Sequence, residues 1–311
     1  MHIPVLLEEV VSQLQVRPGG CYVDATVGQG GHARVILERS APTGRLLGLD
    51  RDPDAVASAR RALEGFGERA RIMHNTFADL GSTASSAGFA QVDGILFDLG
   101  YSSAQLETSG RGFSFQRDEP LDMRFDGQGT TAADLLNELS ERELADLIYR
   151  YGEEPESRHI AKLIVANRPL RTTFELASLI EGAARGRGKI HPATRTFQAL
   201  RIAVNDELSA LETALPQATG LLKPGGRMAV ISFHSLEDRL VKTYFRREST
   251  GCHCPPRLPV CHCGHVAALR LVHDKAITPS AAEVRGNSRA RSAKLRVAER
   301  LDDPSGVRDA A

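Results

Sequence analysis

The first stretch equipped for chemistry is Val23-Asp24-Ala25-Thr26-Val27-Gly28-Gln29-Gly30-Gly31, followed by Leu46-Leu47-Gly48-Leu49-Asp50. An apolar strand runs into a glycine-rich turn, and a second strand ends in a carboxylate. That pairing shapes a nucleotide pocket at the carboxyl edge of a parallel sheet. Gly28, Gly30 and Gly31 permit positive φ and a close approach of backbone to ligand. Asp50 stands where a carboxylate accepts hydrogen bonds from two ribose hydroxyls. Counting G-x-G-x-x-G from Gly28 puts Ala33 in the last place, and His32 follows directly on Gly31. A pyrophosphate needs a helix N-terminus left clear. A ligand without phosphates, such as S-adenosylmethionine, suits this turn as well or better. The plainer alternative is a tight strand-to-helix turn with no ligand. The acidic residue favours bound adenosine, and the turn alone leaves the cofactor open.

Three further constellations follow. Asp98 ends the run Asp93-Gly94-Ile95-Leu96-Phe97-Asp98 and is followed by Leu99-Gly100-Tyr101-Ser102-Ser103. In a doubly wound sheet the crevice lies outside the carboxyl ends of the first and fourth strands, so Asp98 falls beside the glycine turn. It either meets a charged amine there or caps a turn. His234 leaves a strand in Ile231-Ser232-Phe233-His234-Ser235-Leu236-Glu237-Asp238, with an S-x-x-D cap expected from Ser235 to Asp238. Its place at a strand's carboxyl end gives a site role weight. Cys252, Cys254, Cys261 and Cys263 form C-x-C-x6-C-x-C, bent by prolines. Four soft ligands so close either close a tetrahedral zinc site or remain a reduced hairpin loop.

The elements that must position these groups alternate between strand and helix. Cys21–Thr26, Arg45–Asp50, Ala70–His74 and Val92–Asp98 are short apolar runs suited to buried parallel strands, with a helix over Asp54–Leu63 after Pro53. The expected fold is α/β: a right-handed, doubly wound sheet. Residues 99–129 read as a long loop. Capping boxes at Ser140–Glu143 and Thr172–Glu175 then open helices, and no strand pattern appears between roughly 115 and 190. A small all-helical insert follows from this. The expected division is residues 1–110 with 205–311 for the sheet domain and 111–204 for the insert. A long helix is expected to open at His191-Pro192 with apolar positions Phe197, Leu200, Val204, Leu208, Leu211 and Leu215. Its polar stripe, Asn205 included, reads as a solvated face, while His191, Arg195 and Gln198 at the entry suit a polyanionic or base-bearing substrate. Strands resume at Arg227–Phe233, after the turn Lys223-Pro224-Gly225-Gly226, and at Ala293–Leu301, where charged and apolar residues alternate as expected near a sheet edge.

Composition sets bounds. The 311 residues suffice for a full core, and the net charge is zero, which argues against an indiscriminate polyanion binder but leaves room for a local basic face. Met1–Glu9 has no basic flank and its apolar run is broken by two glutamates, so neither a secretory signal nor a membrane span is expected, and cytoplasm is the default. Four of five cysteines crowd into residues 252–263, unlike a spread disulfide framework.

Taken together these segments resemble one family, the bacterial small-subunit ribosomal RNA cytidine-N4 methyltransferases. The resemblance runs through His2-Ile3-Pro4-Val5-Leu6-Leu7, Gly28-Gln29-Gly30-Gly31-His32, Leu49-Asp50-Arg51-Asp52-Pro53 and Asp98 to Leu106. It continues through Arg111-Gly112-Phe113-Ser114-Phe115, Pro120-Leu121-Asp122-Met123-Arg124, His191 to Gln198, Ser232 to Arg239 and Asn287 to Ser292. It covers nearly the whole chain. The resemblance implies a class I methyltransferase fold with an inserted helical substrate domain. It also implies S-adenosylmethionine as methyl donor and N4 of the decoding-centre cytidine 1402 in 16S ribosomal RNA as acceptor. By the same likeness the cofactor contacts are Gly30, Gly31, His32, Asp50, Phe77, Asp98 and Gln105.

The chemistry this implies is an in-line displacement by an exocyclic amine whose lone pair is delocalised into the ring. Orientation, desolvation and a hydrogen-bond acceptor are what such a nucleophile needs. Asp98 is the expected acceptor and His234 its positioning or proton-accepting partner. Many amino-methyltransferases place two prolines and an aromatic after the acidic or amide residue. Here the sequence is Asp98-Leu99-Gly100-Tyr101, which leaves Tyr101 as a stacking platform for the base. RNA contact falls to His191, Arg195, Gln198, Arg289 and Arg291. Further candidates are Arg168, Arg171, Arg285, Lys294, Arg296 and the Arg185–Lys189 loop. The protein is expected as a monomer or homodimer on the small subunit, away from membranes. A rival from another class is a ribosome-assembly or RNA-binding factor that keeps the cofactor pocket without turnover. A nicotinamide-dependent oxidoreductase is disfavoured by the glycine spacing.

Overall fold

A computed structural model describes residues 4–100, 105–106, 110–184, 190–252, 254 and 262–302. By internal contacts the chain divides into two compact units, residues 1–100 with 209–311 and residues 101–208.

The first unit is built on a sheet of β1 (Cys21–Asp24), β2 (Arg45–Asp50), β3 (Ala70–His74), β4 (Val92–Asp98), β5 (Leu222–Ser232), β6 (Leu269–Leu271) and β7 (Lys294–Arg300), in the order β3-β2-β1-β4-β5-β7-β6. β1 to β5 run parallel, and β7 lies antiparallel between β5 and β6. The near-continuous apolar runs reflect burial on both faces. Tyr22, Leu46, Leu96 and Ile231 pack on one side with Val10 of α1 (Leu7–Gln13), Ile36 of α2 (Gly31–Arg39) and Val56 of α3 (Pro53–Leu63). Val23, Leu47, Ile95 and Val230 pack on the other with Leu80 of α4 (Leu80–Ser86) and with residues of two later helices. The chain order and these layers make a doubly wound α/β sheet in which β1 and β4 are neighbours.

The second unit contains α5 (Ala132–Glu138), α6 (Glu141–Gly152), α7 (Ser157–Ala166), α8 (Thr173–Ala183) and α9 (Thr194–Asn205). Both expected capping boxes form, and a third joins Thr131 to Asp134 at the start of α5. The unit has its own core, including Leu136, Leu144, Ile148, Ile164, Leu176, Phe197 and Leu200. Each fully buried aliphatic of this set contributes roughly 1.5–3 kcal/mol relative to exposure. α6 and α9 touch closely at Gly152, where an added Cβ would meet the backbone oxygen of Arg195 at 2.5 Å. Among the described residues of this unit the only β-pairing is the isolated bridge of Pro120 with Thr172.

Two expectations are corrected. The helix opening at His191 does not run on to Leu215: it starts at Thr194 and stops at Asp206, whose φ of 50° is left-handed, before α10 (Glu207–Leu221) begins. β5 starts at Leu222, so the Lys223–Gly226 turn is absorbed as an irregularity opposite Val92 and Gly94. β7 lies next to the edge strand, the three-residue β6, in keeping with its expected place near a sheet edge. So short a strand leaves no periodicity to read.

On the polar stripe of α9, Asn205 and Arg201 are buried rather than solvated, while Thr194 and Gln198 are half-buried. Asn205 is 3% exposed; its Oδ1 accepts the Phe125 N–H at 2.9 Å and its Nδ2 donates to the oxygens of Met123 (2.7 Å) and Arg201 (3.0 Å). Arg201 makes a two-pronged pair with Glu207, at 2.8 and 2.9 Å. Asn205 stands in for secondary structure here, pinning the irregular segment through Met123 and Phe125 by its backbone. Among the described residues, no helix is long and apolar enough to cross a membrane.

Candidate active site

The glycine turn follows β1 and delivers the chain into α2. Gly28 and Gly30 adopt φ of 52° and 84°, which L side chains rarely take, and Gly30 is the residue preceding the helix. Gly31 is glycine for a different reason: an added Cβ would lie 2.5 Å from Cγ of Pro4, which lies against the turn. The sequence pattern identified the turn but not the segment beside it.

Asp50, at the end of β2, holds this turn directly. One carboxylate oxygen accepts the Gly28 N–H at 2.9 Å and the other accepts the Asp52 N–H at 2.9 Å. Each oxygen keeps a second lone pair, so both the turn and a ribose can share this carboxylate. Burial pushes its pKa up to about 6, against the pull of the two backbone N–H groups. Phe77 sits in a short 3-10 turn after β3, capped by the Thr76 hydroxyl, with its ring edge-on to Phe97 at 5.8 Å.

β4 carries two aspartates with opposite environments. Asp93, near the amino end, receives the guanidinium of Arg17 (2.7 Å), the ammonium of Lys223 (2.9 Å) and the Cys21 N–H (2.8 Å). Burial raises its pKa, but these hydrogen bonds outweigh that and hold it below the ordinary range. Asp98, at the carboxyl end, has no such cations among the described residues. Its N–H donates to the Thr26 hydroxyl at 2.6 Å, which ties β4 to the glycine turn. Of its side chain 24% is exposed, yet Oδ1 is buried with no hydrogen-bond partner among the described residues. Burial, and then the charges of Asp24 and Glu237, push its pKa well above the carboxylate range.

Asp24 and Glu237 are site residues that the sequence reading did not single out. Asp24 ends β1, is 1% exposed, accepts the Thr26 N–H at 3.2 Å, and is pushed by burial up to about 7. Glu237 is 2% exposed and accepts the Phe233 N–H at 2.8 Å. Asp24, Asp50 and Asp98 all occupy carboxyl ends of neighbouring strands, the signal that could have flagged Asp24. Collecting acids this tightly costs free energy unless a positive group joins them.

His32 faces this edge from the first turn of α2. Its Nε2 lies 3.0 Å from the carbonyl oxygen of Val5, and its Nδ1 lies 3.5 Å from Oδ2 of Asp98. A carbonyl can only accept, so the Nε2 proton is fixed, and the neutral ring presents a bare Nδ1 to Asp98. His32 and Asp98 can therefore share one proton.

His234 is itself the cap of α11 (Ser235–Glu248), correcting the expected Ser235–Asp238 cap. Its Nδ1 accepts the Glu237 N–H at 3.4 Å, and the Glu237 carboxylate returns to the His234 N–H at 3.3 Å. The neutral ring then carries its proton on Nε2, which lies 3.2 Å from Oε1 of Glu237 without the angle of a hydrogen bond. As placed, this nitrogen is a donor. Asp238 instead pairs with Lys294 (2.9 Å) and Arg296 (2.7 Å), so those two tail cations are already engaged.

Of the remaining expected positions, Gln105 is buried in the second unit. There His191 stacks on Phe115 at 4.4 Å and accepts the Ala193 N–H through Nδ1 at 3.2 Å. Gln198 donates to the oxygen of Tyr151 at 2.9 Å, and Arg195, 42% exposed, lies 3.7 Å from Glu154. Arg168 is committed to the carbonyl oxygens of Leu136 and Leu139 at the end of α5. Arg289 and Arg291 sit in a 3-10 turn capped by Asn287, with Arg291 exposed. Cys252, Cys254 and Cys263 bring their sulfurs within 4.8 Å of one another. Tyr101, Cys261 and the 185–189 loop lie outside the described residues.

A doubly wound sheet with a reversed β7 and an acid-lined, glycine-flanked carboxyl edge is the architecture of a class I, S-adenosylmethionine-dependent methyltransferase. The chain belongs to the MraW methylase family, whose sequence pattern matches residues 1–301. It is 55% identical over 305 residues to the ribosomal RNA small subunit methyltransferase H of Dehalococcoides mccartyi, covering 97% of this chain and 87% of that protein. The protein of the same name from Thermomicrobium roseum is 55% identical over 305 residues, covering 96% and 94% of the two chains. That from Geobacter sulfurreducens is 54% identical over 307 residues, covering 96% and 99%.

Proposed function

We propose that this protein transfers the methyl group of S-adenosylmethionine to the exocyclic N4 of cytidine 1402 in 16S ribosomal RNA, acting on the small ribosomal subunit in the cytoplasm. The observation that carries the reading is the buried Oδ1 of Asp98, without a hydrogen-bond partner among the described residues, within a set of acids at one sheet edge. Such a set fits a ligand bearing positive charge. S-adenosylmethionine supplies an electrophilic methyl on a sulfonium, together with a cationic amine. The names of the relatives supply the ribosomal substrate class.

The chain's own residues divide the work. Gly30 and Gly31 bring backbone close to the ligand, Asp50 accepts from ribose hydroxyls with its remaining lone pairs, and Phe77 packs on the adenine. By the family resemblance, Gln105 is a further cofactor contact. Asp98 accepts a hydrogen bond from the target amine, pulling its geometry toward tetrahedral and exposing the lone pair to the methyl carbon. One N–C bond forms, one C–S bond breaks, and the amine sheds a proton. The Asp98–His32 pair, able to hold one proton, is its nearest acceptor. His234, donating from Nε2, positions rather than deprotonates. Orientation and water exclusion of this kind are the main resources for such a displacement.

The base must leave its stack to be reached, with Tyr101 as its stacking surface. His191, Arg195, Gln198, Arg289 and Arg291 supply the contacts to RNA, whose affinity falls as salt rises. Incubating purified small subunits with methyl-labelled S-adenosylmethionine tests the reading. Incorporation into 16S RNA at a cytidine N4 supports it. Cofactor binding without incorporation would instead make the protein an assembly factor that retains the pocket.

A further inference from the structure

About twenty residues separate the end of α11 at Glu248 from the start of β6 at Leu269. The base of this segment is closed by the Ala268 N–H donating to the oxygen of Glu248 at 2.8 Å. What converges within the segment is sulfur. Cys252, near the start, and Cys263, near the end, bring their Sγ atoms to 3.9 Å, and Cys254 joins them with all three sulfurs within 4.8 Å of one another.

We propose that Cys252, Cys254 and Cys263 are thiolate ligands of a structural zinc ion that staples this loop. Tetrahedral zinc with Zn–S bonds of about 2.3 Å sets its sulfurs roughly 3.8 Å apart, which the Cys252–Cys263 separation reproduces. A disulfide would need about 2.05 Å. The Cys254 N–H also points at Sγ of Cys252 from 3.3 Å. A backbone donor on a sulfur stabilises thiolate over thiol, the outer-shell support that metal-bound cysteines require. Three soft donors on a short chain segment select zinc over hard cations. The sequence offers Cys261 as a fourth donor; it lies outside the described residues, and the proposal stands on the other three. The site is separate from the methyl-transfer chemistry and does not depend on it.

The test is the metal content of the full-length protein, purified under reducing conditions from zinc-replete medium. About one zinc per chain is expected, lost in a Cys252→Ser/Cys263→Ser variant. Replacement by cobalt should add strong near-ultraviolet thiolate-to-metal absorption and the visible bands of a tetrahedral site. If the double variant does not fold, treating the native protein with a chelator should release the zinc and lower its melting temperature. The proposal is overturned if the protein holds almost no zinc and takes up neither zinc nor cobalt. It is equally overturned if the folded double variant keeps its metal, or if Cys252 and Cys263 are found joined as a stable disulfide.

Discussion

Nδ1 of His32 stands 3.5 Å from one carboxylate oxygen of Asp98, while the other oxygen of Asp98 is buried without a hydrogen-bond partner among the described residues. The arrangement is poor for stability and well suited to meeting a positive or proton-donating group. Asp98→Asn should therefore separate the two properties. It removes a buried charge that Asp24 and Glu237 oppose, so the ligand-free protein should be no less stable at pH 8. Methyl transfer should fall by about 100-fold or more, the scale of losing one positioned electrostatic partner in a transition state. Thermal melting and single-turnover transfer on the same sample check both halves. Unchanged transfer would remove Asp98 from the chemistry.

The raised carboxyls give a pH dependence whose sign is determined. Asp24 at about 7, Asp50 at about 6 and Asp98, raised well above its ordinary value, hold protons in the folded, ligand-free state that the unfolded chain releases near pH 4. Stability contributed by these groups is thus greatest at low pH and declines as pH rises from about 4 to 7. A cationic ligand prefers the ionised carboxyls, so S-adenosylmethionine affinity should rise over the upper part of that range, with protons released on binding. Calorimetry near pH 6.5 in two buffers of different ionisation heat measures that release; proton uptake would contradict the account.

Asp50 serves the turn and the ligand together, and substitutions distinguish the two services. Asp50→Ala leaves the N–H groups of Gly28 and Asp52 without their acceptor and should cost about 1–3 kcal/mol of stability. Asp50→Asn keeps one acceptor oxygen and should lose less stability while still weakening cofactor binding. Chemical denaturation and cofactor titration of both variants measure this. Equal affinity in Asp50→Asn and the native protein would show that ribose does not use this carboxylate.

In the second unit the prediction is structural. Asn205→Ala removes three hydrogen bonds that pin Met123, Phe125 and Arg201 by their backbone, and should destabilise by about 2–3 kcal/mol. Asn205→Asp keeps the acceptor for Phe125 but loses both donors and adds a buried charge, so it should be no better. Denaturant melts of the two variants decide. A loss under half a kilocalorie per mole in Asn205→Ala would place this contact outside the unit's framework.

Local signals in the chain carried a good part of this. β2, β3 and β4 appear with the expected ends because each is a short apolar run bounded by turns, and the Ser140 and Thr172 caps appear because a capping box is a four-residue pattern. Asp50 and Asp98 were legible from their places at strand ends. What could not be read needed partners distant in sequence. Asn205 looks solvated until Phe125, eighty residues away, supplies its N–H. His32 reads as a turn residue until Val5 and Asp98 close on its two nitrogens. The cap of α11 shifted by one because histidine Nδ1 can replace a hydroxyl, a use that spacing rules built on serine and aspartate do not anticipate.

The most direct test of the central claim is mass spectrometry of the nucleosides around position 1402 of 16S RNA, from cells with and without this protein and from cells carrying Asp98→Asn. The account predicts that N4-methylation of that cytidine is present only with the native protein and returns when purified protein and S-adenosylmethionine are added to unmodified small subunits. Full N4-methylation at that cytidine in cells lacking the protein, or none after such addition, would contradict it.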